Sequence, residues 1–406
     1  MRSEVYRPFA PAAGHEAADD PVRESMRRLP AAFALPLTLL TGRPLADQPR
    51  TAYTPTRHLV NASVSVTAGL AAGALALAAG RWWLLLVPVG WAMTLHGARN
   101  LRMMVYHQCA HLNMWGHKRR DVLLGRTIAA LLVIQDFGRY STEHVSDHHA
   151  VHHMTLRDPT VQAFLVSLGL RPGMSRREMW RRTLLKTVSP VFHARFLTAR
   201  IRSYFHSAEP AWRTGTALGW VAVAGLATLL HLWVLLLVAW VVPMTVLYQV
   251  SNTFRLCVKH TFPAPDEPVR RGRDYFAALT NAIFIGEAAP PPGLPPVRRA
   301  AAWARWGGRM LLVHFPARYL VLTGDTVVHD FHHRAPMSRD WANYLFARED
   351  DHRRGHPGWP AYHHVWGLVA AIDLVFDSLR HADPEEYHPD RLAEVNHREL
   401  FAAFED

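Results

Sequence analysis

The stretch HVSDHHAVHH (144–153) places five histidines in ten residues, and it does not stand alone. HQCAH (107–111) lies before it and HDFHH (329–333) long after it, and a single candidate, His260, closes NTFRLCVKH (252–260). His107 and His111 are spaced i, i+4, as are His144 and His148, so on a helix each pair shares a face. His149 follows His148 directly, and the third cluster offers His329, His332 and His333. Neutral imidazole suits iron, zinc, copper and nickel. His107, His111, His144, His148, His149, His260, His329, His332 and His333 are more ligands than one ion accepts, which points to two ions. Only two cysteines occur, Cys109 and Cys257, so a thiolate zinc cage and a cysteine-ligated iron–sulfur cluster are excluded. No Glu-x-x-His repeat lies in the apolar stretches, which excludes the soluble carboxylate-bridged bundle.

The elements that must hold these clusters are apolar. Residues 59–80 and 82–106 each carry about 20 residues of membrane-spanning character, separated by Gly80 and Arg81. They read as one helical hairpin. The run 216–250 is long enough for two more spans, with a turn near Leu230–Leu232. The expected fold is therefore an all-α integral membrane protein. Its four helices, about 59–80, 82–106, 214–231 and 233–251, form two hairpins beneath a cytoplasmic helical cap that carries the histidines. Residues 1–57 read as a polar N-terminal region without a signal peptide, 58–380 as the membrane domain and 381–406 as a polar tail. AAFALPLTLL (31–40) and GRMLLVHFPARYLVLTG (308–324) suit the membrane interface, and 121–137 suits an interfacial or packed helix. EAAPPPGLPPV (287–297) is a Pro-rich linker.

Charge orients the frame. HKRR (117–120) follows the second span; Arg255, Lys259 and RRGR (270–273) follow the fourth; the hairpin tips carry only Arg81. The positive-inside rule puts both tips outside and every histidine cluster on the cytoplasmic side. It also accounts for the net charge of +12 without a nucleic-acid partner, because the basic residues are dispersed and no nucleic-acid motif occurs.

Taken together, HxxxH (107–111), HxxxHH (144–149) and HxxHH (329–333) on two hairpins resemble the membrane fatty-acid desaturase and hydroxylase superfamily. The spacing of the first two boxes and the pair Asp158-Pro159 after the second are similar too, and the resemblance covers roughly 60–380. It implies a non-haem di-iron centre held almost wholly by histidine, activating O2 against an unactivated C–H bond. RLCVKH (255–260) resembles the family segment that ends in Glu-His, with Lys259 in place of the Glu; this carries His260 over as a ligand. The second box also matches HxxHH at 149–153, which would bring in His152 and His153; the first register fits the family spacing better. HPGWPAYHHVWG (356–367) departs from a cytochrome b5 haem motif at Trp359, while His363 and His364 remain candidates for the site or its lid.

The ligand imidazoles need acceptors to fix their tautomers; Asp147, Asp158, Asp325 and Asp330 lie beside the boxes, where each could equally be a helix cap or a surface charge. Two electrons per turnover must come from outside, because the chain has no nucleotide fingerprint and no haem site. A separate ferredoxin or cytochrome with its reductase is implied, attracted by the basic face at 117–120, 270–273 and 353–354. The substrate implied is an acyl or other lipid-like chain, free or linked to CoA, a carrier protein or a lipid. Trp82, Trp83, Trp91, Trp220 and Trp240 either shape a slot for it or face lipid. Desaturation, hydroxylation and oxidative decarboxylation share this scaffold. The reading of a different class is a His-rich metal carrier or sensor, which should place ionisable ligands inside its spans; here only His96 and His231 come near them.

Overall fold

The computed structural model describes residues 20–145, 152–265, 272–355, 358–388 and 390–391. The chain is mostly helical and divides by contacts into two units. One comprises Thr54–Leu256 with the segment from Pro384 onward; the other runs to Tyr53 and resumes over Cys257–Asp383.

In the first unit, Thr54 caps the helix Pro55–Ala79 by accepting from Arg57 N, with Pro55 in the first turn, where its missing N–H costs nothing. Gly80, at φ 61°, ends it. A 3-10 segment, Arg81–Leu86, leads into Val87–Asn100, which continues as a π-helix over Leu101–Tyr106 and returns to α geometry at His107–Ala110. The two arms approach closely because glycine lines the seam. A Cβ on Gly97 would lie 2.5 Å from Ala62 O, and one on Gly69 would lie 2.5 Å from Thr94 N. Small residues permit this backbone approach between membrane helices.

The second hairpin follows the same plan. Pro210–Leu229 ends at Leu230, His231 takes φ 54°, and helix resumes from Trp233 to Lys259. The turn sits where the sequence places it. Among the described residues, Pro55–Ala79 and Trp233–Lys259 are long and apolar enough to cross a membrane. Helices also occupy the other two expected stretches, Val87–Asn100 and Pro210–Leu229. The segment 121–137 forms most of the helix Lys118–Leu132 and the start of Phe137–Thr142. Arg200 ties the unit together: its guanidinium donates to the carbonyls of Leu132, Val133 and Met244 at 2.7, 3.0 and 2.9 Å.

The second unit is built on buried charge. Arg23 is 1 % exposed and donates to Arg43 O, Ala34 O and Thr38 Oγ1; burial lowers its pKa to about 10. Arg43 in turn pairs with Asp20 at 2.7 Å. Strands Ala282–Phe284 and His364–Trp366 pair in parallel, Ile283 opposite Val365. This small sheet corrects the all-α expectation. Each strand has three residues, too few for an alternating pattern to be read from sequence. The helices His329–Arg334, Tyr344–Arg354 and Leu368–His381 complete the part of the unit that bears on the histidines. Arg255 and Lys259 lie in the last turns of Trp233–Lys259, and both are buried.

Candidate metal centre

Two histidine triads form, one in each unit. The first consists of His107, His111 and His144, all buried, with ring nitrogens within 4.8 Å of one another. His107 and His111 meet because one helical turn separates them: His111 N donates to His107 O at 3.3 Å, and the ring centroids lie 5.1 Å apart. His144 arrives from the end of the 137–145 helix, and its Nε2 sits 2.6 Å from His107 Nε2. Tyr140, one turn earlier, stacks on the His144 ring at 5.1 Å and 12°. Arg102 lies between Tyr140 and Tyr106, its guanidinium carbon 4.1 and 4.7 Å from the two ring centroids. Aromatic and cation–π contacts therefore fix the ring that completes the triad.

The second triad is His260, His329 and His333, again buried, with ring nitrogens within 4.8 Å of one another. His260 follows directly on the Trp233–Lys259 helix. Its Nδ1 lies 3.3 Å from Thr280 Oγ1, which leaves Nε2 facing the cluster. His329 Nε2 lies 3.3 Å from His260 Nε2 and 3.1 Å from His333 Nε2. The Phe276 ring stacks on His333 at 6.4 Å and 24°. Within the same helix as His333, Asp330 accepts from Arg348 Nε and Nη2 at 3.0 and 2.8 Å and from Phe331 N at 2.8 Å. Both partners are almost fully buried. This charged pair, together with the bond from Phe331 N, ties the backbone of HDFHH in place.

The nitrogen spacings fit a metal. Ligands about 2.0–2.1 Å from an ion lie roughly 2.9–3.4 Å apart in tetrahedral or octahedral arrangement, as His329 Nε2 does from His260 Nε2 and from His333 Nε2 in the second triad. In the first triad two Nε2 atoms come still closer. An imidazole nitrogen that faces two others cannot satisfy both by hydrogen bonding when all three rings are neutral, whereas one cation satisfies all three.

The remaining candidates fall as follows. His332 is buried, its ring 5.9 Å from those of His329 and His333. His148, His149 and Asp147 lie outside the described residues. His152 is half-buried, and its carbonyl accepts from Thr155. His153 is buried, with Nδ1 3.9 Å from Asp158 Oδ2. Asp158 is chiefly a cap, accepting from Thr160 N and Met154 N at 2.8 Å each. His364 pairs with Asp20 at 3.0 Å and lies in the second strand. The His363 carbonyl accepts from Ala282 N at the strand pairing. Thr280, Phe276 and Arg348 carry no sequence signal and were not foreseen. Tyr140 had one, lying i−4 to His144.

In the first unit, Trp220 and Trp240 stand 6.3 Å apart and help line an apolar cavity of about 960 Å³ with Leu70, Ala74, Gly219 and Leu236. Trp82 and Trp83 are exposed at the hairpin tip, and Trp91 donates to Val238 O at 2.6 Å. Only Trp220 and Trp240 of the five therefore line that cavity.

No curated protein matches the chain. Residues 81–286, just over half of it, match the family Fatty acid desaturase, a family of oxidoreductases that act on lipid-like substrates in a membrane context. With two buried histidine triads compatible with metal, the chain belongs to the fatty acid desaturase family.

Proposed function

We propose that the chain is a membrane-bound non-haem di-iron oxidase that uses O2 and two external electrons to desaturate an acyl chain or other lipid-like substrate. The observation that carries this reading is the pair of buried, all-histidine triads, one iron for each, in a chain of this family. His107, His111 and His144 hold one ion and His260, His329 and His333 the other, with His148, His149 and His332 as further ligands. Imidazoles without thiolate or carboxylate ligands suit iron among the first-row metals this donor set accepts. Bound iron would activate O2, the oxidant, for attack on an inert C–H bond, which no side chain can do.

The chain's own residues do the rest. Thr280 fixes the His260 tautomer, so that Nε2 is the ligating atom. The Asp330–Arg348 pair fixes the pitch of His329 and His333. Tyr140 holds the His144 ring flat against its own. Burial of all six imidazoles excludes water from the reacting atoms.

Four spans, in two hairpins with their tips outside, place both triads at the cytoplasmic face; the exposed Trp82 and Trp83 at the first tip suit the opposite interface. The electrons come from a separate ferredoxin or cytochrome with its reductase. Exposed basic residues at 118–120 and 353–354 provide a surface for an acidic carrier. Hydroxylation and oxidative decarboxylation use the same scaffold. Lipid profiling of an aerated host with and without the chain separates them: a new double bond supports desaturation, a hydroxyl or terminal alkene selects the alternatives, and an unchanged lipid profile rejects the enzyme.

A further inference from the structure

The second unit carries an unpartnered cationic, apolar helix. Pro296–Arg309 begins after the Pro-rich linker and continues helically through His314. Its inner side is anchored. Met310 packs in a cluster with Met26, Leu37 and Ala289, flanked by Trp303 and Trp306, and Trp306 Nε1 donates to Glu287 O at 3.0 Å. The same cluster holds the second apolar segment, through Leu37 and Leu40, and Arg318 donates to Leu39 O at 3.0 Å. The two stretches whose sequences suit an interface, 31–40 and 308–324, therefore form one surface.

Its outer side has two stripes. Val297, Ala301, Ala304, Gly308, Leu311 and Phe315 follow the 3- and 4-residue helical step and share a face. Val297 is 82 % and Leu311 64 % exposed, and Leu312 beside them is 74 % exposed. Beside this stripe, Arg298 and Arg305 recur at i, i+7, with Arg299 next to Arg298, all exposed. Arg309 is occupied by Glu287 at 2.7 Å. The guanidinium groups of Arg298, Arg299 and Arg305 make no ion pair or hydrogen bond among the described residues. An apolar stripe edged by arginines, with tryptophans at its flank, is the chemistry of a helix lying in a lipid interface.

We propose that this surface is a binding site for anionic phospholipid. The apolar stripe, with the exposed Phe33 and Leu39 of the 31–40 segment, enters the acyl boundary, and Arg298 and Arg305 take the lipid phosphate. Charge complementarity selects this occupant, because a neutral lipid surface rewards the stripe and leaves the arginines without a partner. A polybasic surface contributes about fivefold in affinity per arginine near anionic lipid. The proposal rests on the membrane reading above but not on iron or on the reaction.

The test is native mass spectrometry of the full chain exchanged into mixed phosphatidylcholine and phosphatidylglycerol, with iron content measured on the same samples. Wild type is expected to retain phosphatidylglycerol preferentially. Arg298→Gln/Arg305→Gln is expected to lose about 25-fold of that preference and keep its metal. The control Arg171→Gln, at an exposed arginine of the other unit, is expected to behave as wild type. Equal retention of the two lipids by wild type, or an unchanged preference in the double variant, overturns the proposal. So does an acidic electron carrier that loses affinity for the double variant while its lipid preference stays intact. Loss of metal from wild type would count against the function, not against this site.

Discussion

His107, His111 and His144 are seated by rings and close-packed helices; His260, His329 and His333 are seated by a buried ion pair, a threonine hydroxyl and one ring. The ligand chemistry is the same and the supporting physics is not. In the first unit the glycine-lined seam brings Pro55–Ala79 against Val87–Asn100, and the helix that carries His107 leaves that seam through a π-helical stretch, a feature that recurs at functional sites. Its support is close-packed helix, the Tyr140 and Tyr106 rings and the buried Arg102 guanidinium between them. In the second unit Asp20, Arg43, Asp330 and Arg348 are buried as charges. Such pairs specify geometry more than they stabilise it, but breaking one partner is costly. The two triads should therefore fail under different perturbations.

The sharpest break is Arg348→Ala. It leaves the Asp330 carboxylate buried and unpaired, at a cost of about 3–5 kcal/mol. Thermal unfolding should show that loss, and metal loss should begin at the second triad. Arg348→Lys should recover only part of it, because a lysine cannot make the two-pronged contact. The matching break in the first unit is Gly97→Ala, whose Cβ would lie 2.5 Å from Ala62 O and 2.7 Å from Val66 N. Overpacking of this kind costs about 1–3 kcal/mol. It should appear as lower thermal stability in detergent, with the first triad losing metal more readily.

A pH titration separates the units by their support. Burial alone would raise the Asp20 pKa, but hydrogen bonds from His364 and Trp366 and the Arg43 charge together hold it well below its ordinary value of 3.8. A depressed folded-state carboxyl contributes stability that is complete above its unfolded pKa and is lost as pH falls through the folded one. Wild-type stability should therefore fall as pH drops below about 4. Asp20→Asn should be less stable near neutrality and flatter over that acid range. The smallest effect belongs to Tyr140→Phe, which keeps the stacked ring but removes the hydroxyl that hydrogen bonds with Arg102, a loss of about 1 kcal/mol in chemical denaturation; Tyr140→Leu should lose the stacked ring as well, about 0.5–1.5 kcal/mol more.

The contrast also explains what was legible in the chain. Helical hairpins write themselves in long apolar runs, and the turns at Gly80–Arg81 and Leu230–Leu232 interrupt those runs visibly. Histidines at i, i+4 declare a shared face, so the pairing of His107 with His111 and of His329 with His333 was readable. The partners that hold them were not. Arg348 lies 18 residues from Asp330 and Thr280 lies 20 from His260, and nothing in either local sequence marks the contact. Asp20 meets His364 across most of the chain, and two three-residue strands leave no periodicity to detect. The burial of Arg255 and Lys259 was not legible either, because a basic residue after an apolar run reads the same whether it faces the lipid edge or the protein interior.

Iron stoichiometry measured triad by triad tests the central claim most directly. The purified wild-type chain should hold about two irons, in keeping with two triads of three imidazoles each. His107→Ala and His333→Ala should each lower the iron content and abolish turnover, and the double variant should hold none. A wild-type protein carrying a single zinc, or a His333→Ala variant with its full complement of iron, would contradict the account.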